Sequence, residues 1–476
     1  MAAKRLEMNP DRLFDPDPAV RGLARELYEP NKDRPLVCPH THVDPNLFSE
    51  PNASFGNPSE MIVTPDHYLT RMLYSHGIPL EDLGVPRTDC GKVERDPRKI
   101  WQTFADNYQL FAGTPTGYWL NHAFSEVFGV DVKLDGETAT EIYDHIEGKL
   151  KSPEFSPRAL YDRFGIEVLC TTDPAASDLG SHDAIRKYSG WHGNIRPTFR
   201  PDKVVNNVGT PEWRTSIMEL GRASGIEIAD YGSFVRALEQ RRQYFRQMGA
   251  TATDHAVLTP CTDEMHPGYL ESIFKKALGV RVDDVSNDTR RFSAHMLMEM
   301  ARMSCDDGLV MQLHPGSYRN HNPAVSERHG PDRGFDIPVQ VDFTQGLKPL
   351  LDKYGNSKAL TLVLFTLDED TYSRELAPLT AYPAVKLGPP WWFHDSPNGI
   401  ARYLERVAET AGFYNLAGFN DDTRAFPSIP GRHDVWRRCC ANYLAQRVAT
   451  GVMDMEDAGK AMEYLSYGAA KETYRL

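Results

Sequence analysis

The sequence has no CxxC pair and no even cysteine framework; its 7 cysteines, Cys38, Cys90, Cys170, Cys261, Cys305, Cys439 and Cys440, are scattered. That excludes a disulfide scaffold and a cysteine-built zinc finger, and it fits a reducing compartment, read here as the cytoplasm. No run approaches the ~18 apolar residues that a membrane span needs. The opening MAAKRLEMNPDRLFDPDP lacks an apolar stretch and a small-residue cleavage site, so no signal peptide is expected. Basic charge is also short: 53 Lys+Arg against 66 Asp+Glu leave a formal net charge of -13. Nucleic acid and acidic membrane surfaces select the opposite balance, so neither is expected as a partner. An anionic small molecule remains compatible, provided that arginines gather locally. Glycine-rich GxGxxG or GxxxxGK turns are missing after every apolar run, which weakens any nucleotide-binding reading.

What is present is a repeating pattern. Short apolar or β-branched runs ending in polar residues fall at Leu36–Pro39, Ile166–Thr171, Asn194–Phe199, Ala256–Cys261, Leu309–His314, Leu360–Phe365, Ala384–Gly388 and Leu416–Phe419. From the second onward they are separated mostly by helical stretches such as Arg291–Met303 and Gly399–Ala411. Hydrophobic strands alternating with amphipathic helices mark a parallel sheet covered by helices, and eight of them predict a closed (β/α)8 TIM barrel. The 476 residues suit one such domain, 1–476. Between the first and second strands lie about 125 residues, too many for one crossover helix. The stretch 43–164, with helical patterns at Thr64–His76 and Asp96–Phe111 and turns in Glu50–Pro58, is expected to be a helical insertion packed over one end of the barrel.

Barrel chemistry sits where strands end, so the polar residues that close each strand are the candidates. The first strand runs into His40-Thr41-His42. Side chains two apart on extended chain point the same way, and two imidazoles there can grip one cation. With 16 histidines, chance alone supplies roughly half of one HxH pair, so its position at a strand end is what gives it weight. The last strand ends in Asp421-Asp422-Thr423-Arg424, across the seam from the HxH pair. Two imidazoles and one carboxylate make an open site for a divalent ion such as Zn2+, and by position either aspartate could serve. The fifth strand ends in His314, with Arg319 following. Arg200, after the third strand, can meet a carboxylate with two parallel hydrogen bonds. In the insertion, Asp66 is a plausible helix cap, and His67 or Tyr68 can reach down to a ligand. The run Trp391-Trp392-Phe393 is apolar enough for packing, with Trp392 kept as a substrate contact. His394 and Asp395 behind it are polar.

The segments PHTHVDP, PDHYLTRMLYSHG, VLCTTDPAASDLGSH, PTFRPDK, MQLHPGSYRNHN, HGPDRGFD, WWFHD and NDDTRAFPSIPGRHDVWRR, in that order, resemble the uronate isomerase family of the amidohydrolase superfamily. The resemblance implies a divalent metal, Zn2+ or another ion such as Mn2+, held by His40, His42 and Asp422. It implies catalytic roles for Asp422, Arg424, Tyr68 and His314, and substrate contacts from Arg200, His67, Arg319 and Trp392, with Arg200 on the uronate carboxylate. Asp421 stands where the family has a threonine. The implied reaction interconverts D-glucuronate or D-galacturonate with its keto isomer, fructuronate or tagaturonate, through a cis-enediol. The implied partner is a small sugar acid, and assembly into a homo-oligomer stays compatible. Two other readings are a mononuclear metal-dependent hydrolase or decarboxylase on the same barrel, and a non-catalytic sugar-acid binding protein. A two-metal hydrolase is disfavoured, because the sixth strand ends in LFTLDED, without a histidine.

Overall fold

The computed structural model describes residues 4–279 and 286–476. The strands in chain order are β1 Leu36–Cys38, β2 Ile166–Cys170, β3 Asp173–Pro174, β4 Ile195–Arg196, β5 Phe199–Arg200, β6 Ala252–Val257 and β7 Val310–Pro315, and runs such as those of β1 and β2 are aliphatic because both their faces are covered. After β7 come a small hairpin, β8 Ser317–Tyr318 with β9 Ile337–Pro338, and then β10 Leu362–Leu364 and β11 Val385–Leu387. β1 pairs in parallel with β2 and β2 with β4; β3 pairs with β5, β5 with β6, β6 with β7, β7 with β10 and β10 with β11. β2 and β3 are successive pieces of one barrel position, as are β4 and β5, which Pro197 separates by withholding an N–H from the ladder. A parallel bridge joins Leu387 to Leu416. The seam then closes through Asp422 N–H to His40 C=O at 3.2 Å and His42 N–H to Thr423 C=O at 2.9 Å. The architecture is a parallel, eight-position α/β barrel.

Two of the expected strands need correction. The fourth lies at Ala252–Val257, not at Ala256–Cys261, because Thr253, Asp254 and His255 are strand residues despite their polarity. All three are buried, and polar residues inside a barrel strand hide the apolar pattern. The eighth position, Leu416–Phe419, carries a single bridge instead of a regular strand, since Gly418 adopts φ +82°. The expected helices Arg291–Met303 and Gly399–Ala411 lie within longer helices, Ser286–Asp307 and Pro397–Ala411.

At the barrel end where strands begin, Ala252, Val310, Val363 and Ala417 pack with Tyr474, while Val37 and Val168 pack with Ala470. The short helix Ala469–Tyr474 therefore stoppers that end. Between β1 and β2 the chain is mainly short helices, including His67–Ser75, Pro97–Asp106, Pro115–His122 and Ala139–Leu150. Trp101, Phe104, Phe124 and Tyr143 of this stretch share one apolar cluster with Leu36, Cys38 and Leu169 of the barrel wall. Asp66 caps the helix His67–Ser75 by accepting the Tyr68 N–H at 2.8 Å, which orients His67 at the first turn.

Candidate metal centre and substrate pocket

At the opposite end, where strands finish, a small polar cavity of about 30 Å³ is lined by His40, His42, Asp422, His314, Arg200 and Asp254, among others. His67, Arg319, Trp392 and Arg424 border it too, so nine of the ten sequence candidates meet there. The tenth, Tyr68, does not line the cavity. It is packed behind, with its ring 4.9 Å from His67, and its hydroxyl is buried with no hydrogen-bond partner. Beside this cavity lies a cleft of about 850 Å³ that shares Arg200, His314 and Arg319 with it.

The HxH pair and Asp422 face each other as the seam geometry requires. His40 Nε2 and His42 Nε2 stand 3.5 Å and 3.1 Å from Asp422 Oδ1. That oxygen is buried and receives no hydrogen bond, whereas Asp422 Oδ2 accepts one from Trp391 Nε1 at 3.1 Å. Two imidazole nitrogens around an unpartnered carboxylate oxygen is a donor set that fits a divalent cation, and these three ligand atoms lie within 4.8 Å of one another. Burial works against the Asp422 charge, yet the two histidines outweigh it and hold its pKa well below the usual carboxylate range. Burial pushes His42 down. For His40, burial is overcome by Asp254 and Asp422, which raise it. Asp422 keeps its place with φ +47°, and Trp392 and Asp332 in the same wall are also left-handed, at +51° and +64°. Such conformations cost non-glycine residues roughly 1–3 kcal/mol each and gather at functional sites.

On the other side, His314 and Asp254 form a buried pair. His314 Nδ1 donates to Asp254 Oδ1 at 2.7 Å, and His314 Nε2 is buried without a partner. The carboxylate fixes the tautomer, leaving Nε2 as the free lone pair. Burial pushes the His314 pKa down to about 4, so the ring is neutral near pH 7. The ring stacks on Phe365 at 3.9 Å and lies 4.8 Å from His40. Asp254 is held well below its usual range, with Arg200 and His314 overcoming its burial.

Each arginine of the pocket is braced by a carboxylate. Arg200 meets Asp202 at 2.7 Å and Asp254 at 3.3 Å, Arg319 meets Asp336 at 2.8 Å, and Arg424 meets Asp332 at 2.7 Å. Trp392 stacks on His67 at 5.5 Å, and the Arg319 guanidinium lies 5.4 Å from its ring centre. Three pocket features escaped the sequence reading: Asp254, Asp332 and the Trp391 indole bond to Asp422; behind the pocket, so did buried Arg432, which donates to Asp421 C=O at 2.6 Å. For Asp254 the signal existed: reading the fourth strand four residues earlier puts it at the strand's centre.

A parallel barrel whose first strand ends in a histidine pair facing a seam aspartate defines a barrel enzyme of the metal-binding kind. The family model described as glucuronate isomerase matches residues 19–474, and the chain belongs to that family. It is 51% identical to a uronate isomerase of Nostoc punctiforme, with 100% of both chains covered. A crystal structure of glucuronate isomerase from Caulobacter crescentus superposes with a TM-score of 0.96 at 46% identity, covering 99% of this chain and 98% of that one. A uronate isomerase structure from Thermotoga maritima gives 0.91 at 28% identity, with 98% and 99% covered.

Proposed function

We propose that this pocket interconverts a hexuronate aldose, D-glucuronate or D-galacturonate, with its 2-keto isomer by moving a proton between C2 and C1 through a cis-enediol. Uronate isomerase activity follows from the family; the roles of individual residues are our reading. The observation that carries them is the convergence of an unpartnered Asp422 oxygen, two histidines and three arginines on one buried cavity. Asp422, ionised across the neutral range, takes the proton from C2 and returns it to C1. Arg424, which lines the cavity, stabilises charge on the C1 and C2 oxygens, while Tyr68, packed behind His67, supports that wall from outside the cavity. His314, neutral and locked by Asp254, offers Nε2 as a hydrogen-bond acceptor for a sugar hydroxyl or as a relay. Arg200, Arg319, His67 and Trp392 hold the sugar acid, Arg200 at its carboxylate.

His40, His42 and Asp422 would hold a divalent ion, and their two nitrogens and one oxygen suit Zn2+, with Mn2+ as the alternative. When bound, it supplies Lewis-acid polarisation of a substrate oxygen. The chain is treated as one domain, 1–476, with 43–164 as an insertion, supported by the apolar cluster they share. A cytoplasmic setting belongs to this reading; no helix among the described residues is long and apolar enough to cross a membrane. The hydrolase and binding-protein readings are not favoured, since relatives matched over their full length carry the uronate isomerase name.

The test is a coupled assay for ketose formation from both uronates, on metal-loaded and chelator-treated protein. Turnover of at least one acid, lost on chelation and restored by Zn2+ or Mn2+, is expected. Folded, metal-loaded protein that turns over neither acid would overturn the proposal.

A further inference from the structure

A second group of ligand atoms lies outside the pocket. Cys38 ends β1, Asp421 immediately precedes Asp422, and His433 is on the helix Ile429–Ala449 behind the barrel seam. None of the three lines the substrate cavity. Cys38 and Asp421 are fully buried and His433 is 3% exposed, and one ligand atom from each lies within 4.8 Å of the other two.

We infer that Cys38, Asp421 and His433 form a buried three-ligand site for a thiophilic divalent ion of the Zn2+ class. Three observations carry this. The first is spacing: His433 Nε2 stands 3.6 Å from Cys38 Sγ and 3.5 Å from Asp421 Oδ2. A carboxylate accepting from an imidazolium is normally met at about 2.7–2.9 Å. Tetrahedral zinc at ordinary bond lengths instead sets sulfur and nitrogen about 3.5 Å apart, and nitrogen and oxygen about 3.4 Å apart. In the substrate-side triad the imidazole-to-carboxylate distances are 3.5 Å and 3.1 Å. The second is that Asp421 Oδ2 is buried and no donor reaches it at regular hydrogen-bond geometry, its neighbours being the His433 ring and the Cys38 thiol, while its partner oxygen accepts the Thr423 N–H at 3.1 Å. The third is charge: thiolate and carboxylate together neutralise a divalent ion, and a neutral ensemble is what a dry interior tolerates. A sulfur donor selects Zn2+ or Co2+ over Mg2+ and Ca2+.

Because these residues are buried and do not line the substrate cavity, the ion acts by fastening. It ties the end of β1 and the residue before Asp422 to the outer helix, at the place where Asp422 must hold a left-handed backbone. Binding releases the Cys38 proton, leaving the sulfur as thiolate. This site stands whether or not the pocket isomerises a uronate.

The experiment is exchange of the full chain into Co2+, read by near-ultraviolet absorption and by metal analysis. The substrate-side triad contains no sulfur, so a sulfur-to-cobalt charge-transfer band reports the second site alone. Two metal ions per chain and that band are expected in the wild type. Cys38→Ser should lose the band and one ion, whereas His42→Asn should keep the band. One ion per chain without the band in the wild type overturns the inference, as does a band that survives in Cys38→Ser. If Cys38→Ser does not fold, the wild-type stoichiometry and band decide by themselves.

Discussion

In the proposed mechanism Asp422 is cation ligand and proton carrier at once, and its two oxygens face different partners. Oδ1 faces the imidazoles of His40 and His42, and Oδ2 is steadied by the Trp391 indole. Asp422→Asn keeps the volume but removes the base, so kcat should fall by roughly 10²–10⁴-fold in the ketose assay. Near-wild-type turnover would reassign the proton transfer. Asp254 acts one step further back, by fixing which His314 nitrogen carries the proton. Asp254→Asn should lower kcat by about 10–100-fold, the order of loss when a carboxylate that orients a functional histidine is removed. An unchanged kcat and pH profile would show that His314 needs no such orientation. His40 and His42 were legible because a strand end and a spacing of two suffice to aim them; position left Asp421 and Asp422 open, and the family resemblance singled out Asp422. Asp254 was not legible, since a charged residue in mid-strand is readable only once the phase of that strand is known.

Strand phase is thus where residue-level reading meets element-level structure. Most of the apolar runs coincide with strands to within two residues at either end, because a strand covered on both faces must be apolar throughout. The fourth failed for the opposite reason: Thr253, Asp254 and His255 are interior to the barrel wall and pay for no visible hydrophobic signal. The eighth was located but not its form. Its Gly418 is pressed against the stopper helix, so that a Cβ there would stand 2.6 Å from the Ala470 backbone nitrogen, and its φ is already +82°. Gly418→Ala therefore meets a clash and a backbone penalty together. A loss of about 1–3 kcal/mol is expected, read as a lower urea midpoint. An unshifted midpoint would mean that the seam and the stopper helix adjust without cost.

Over the whole molecule, an acidic chain concentrates cations where its substrate must arrive. The formal charge is -13, yet Arg200, Arg319 and Arg424 converge on one cavity, each held by an aspartate that limits its motion. The same burial that shapes the pocket leaves several histidines neutral, and this sets the response to acid. Burial pushes His182 down to about 4, and the ring is 1% exposed beside the Thr171 hydroxyl at 2.8 Å. His255 is likewise pushed down to about 3. For such groups the unfolded chain takes up protons first, near pH 6.5, so their contribution is complete above that value and is lost as pH falls towards the folded pKa. Asp395, raised by burial to about 7, contributes in the opposite direction, losing stability as pH rises from the ordinary carboxylate range through neutrality. His314 acts in the same direction as His182 and His255, and Asp173, raised by burial to about 6, acts in the same direction as Asp395. His182→Gln isolates one share: it should reduce the stability lost between neutral pH and pH ~4.5 by about 2–3 kcal/mol relative to wild type. Parallel urea curves for the two proteins across that range would show that His182 is protonated as readily in the fold as in the unfolded chain.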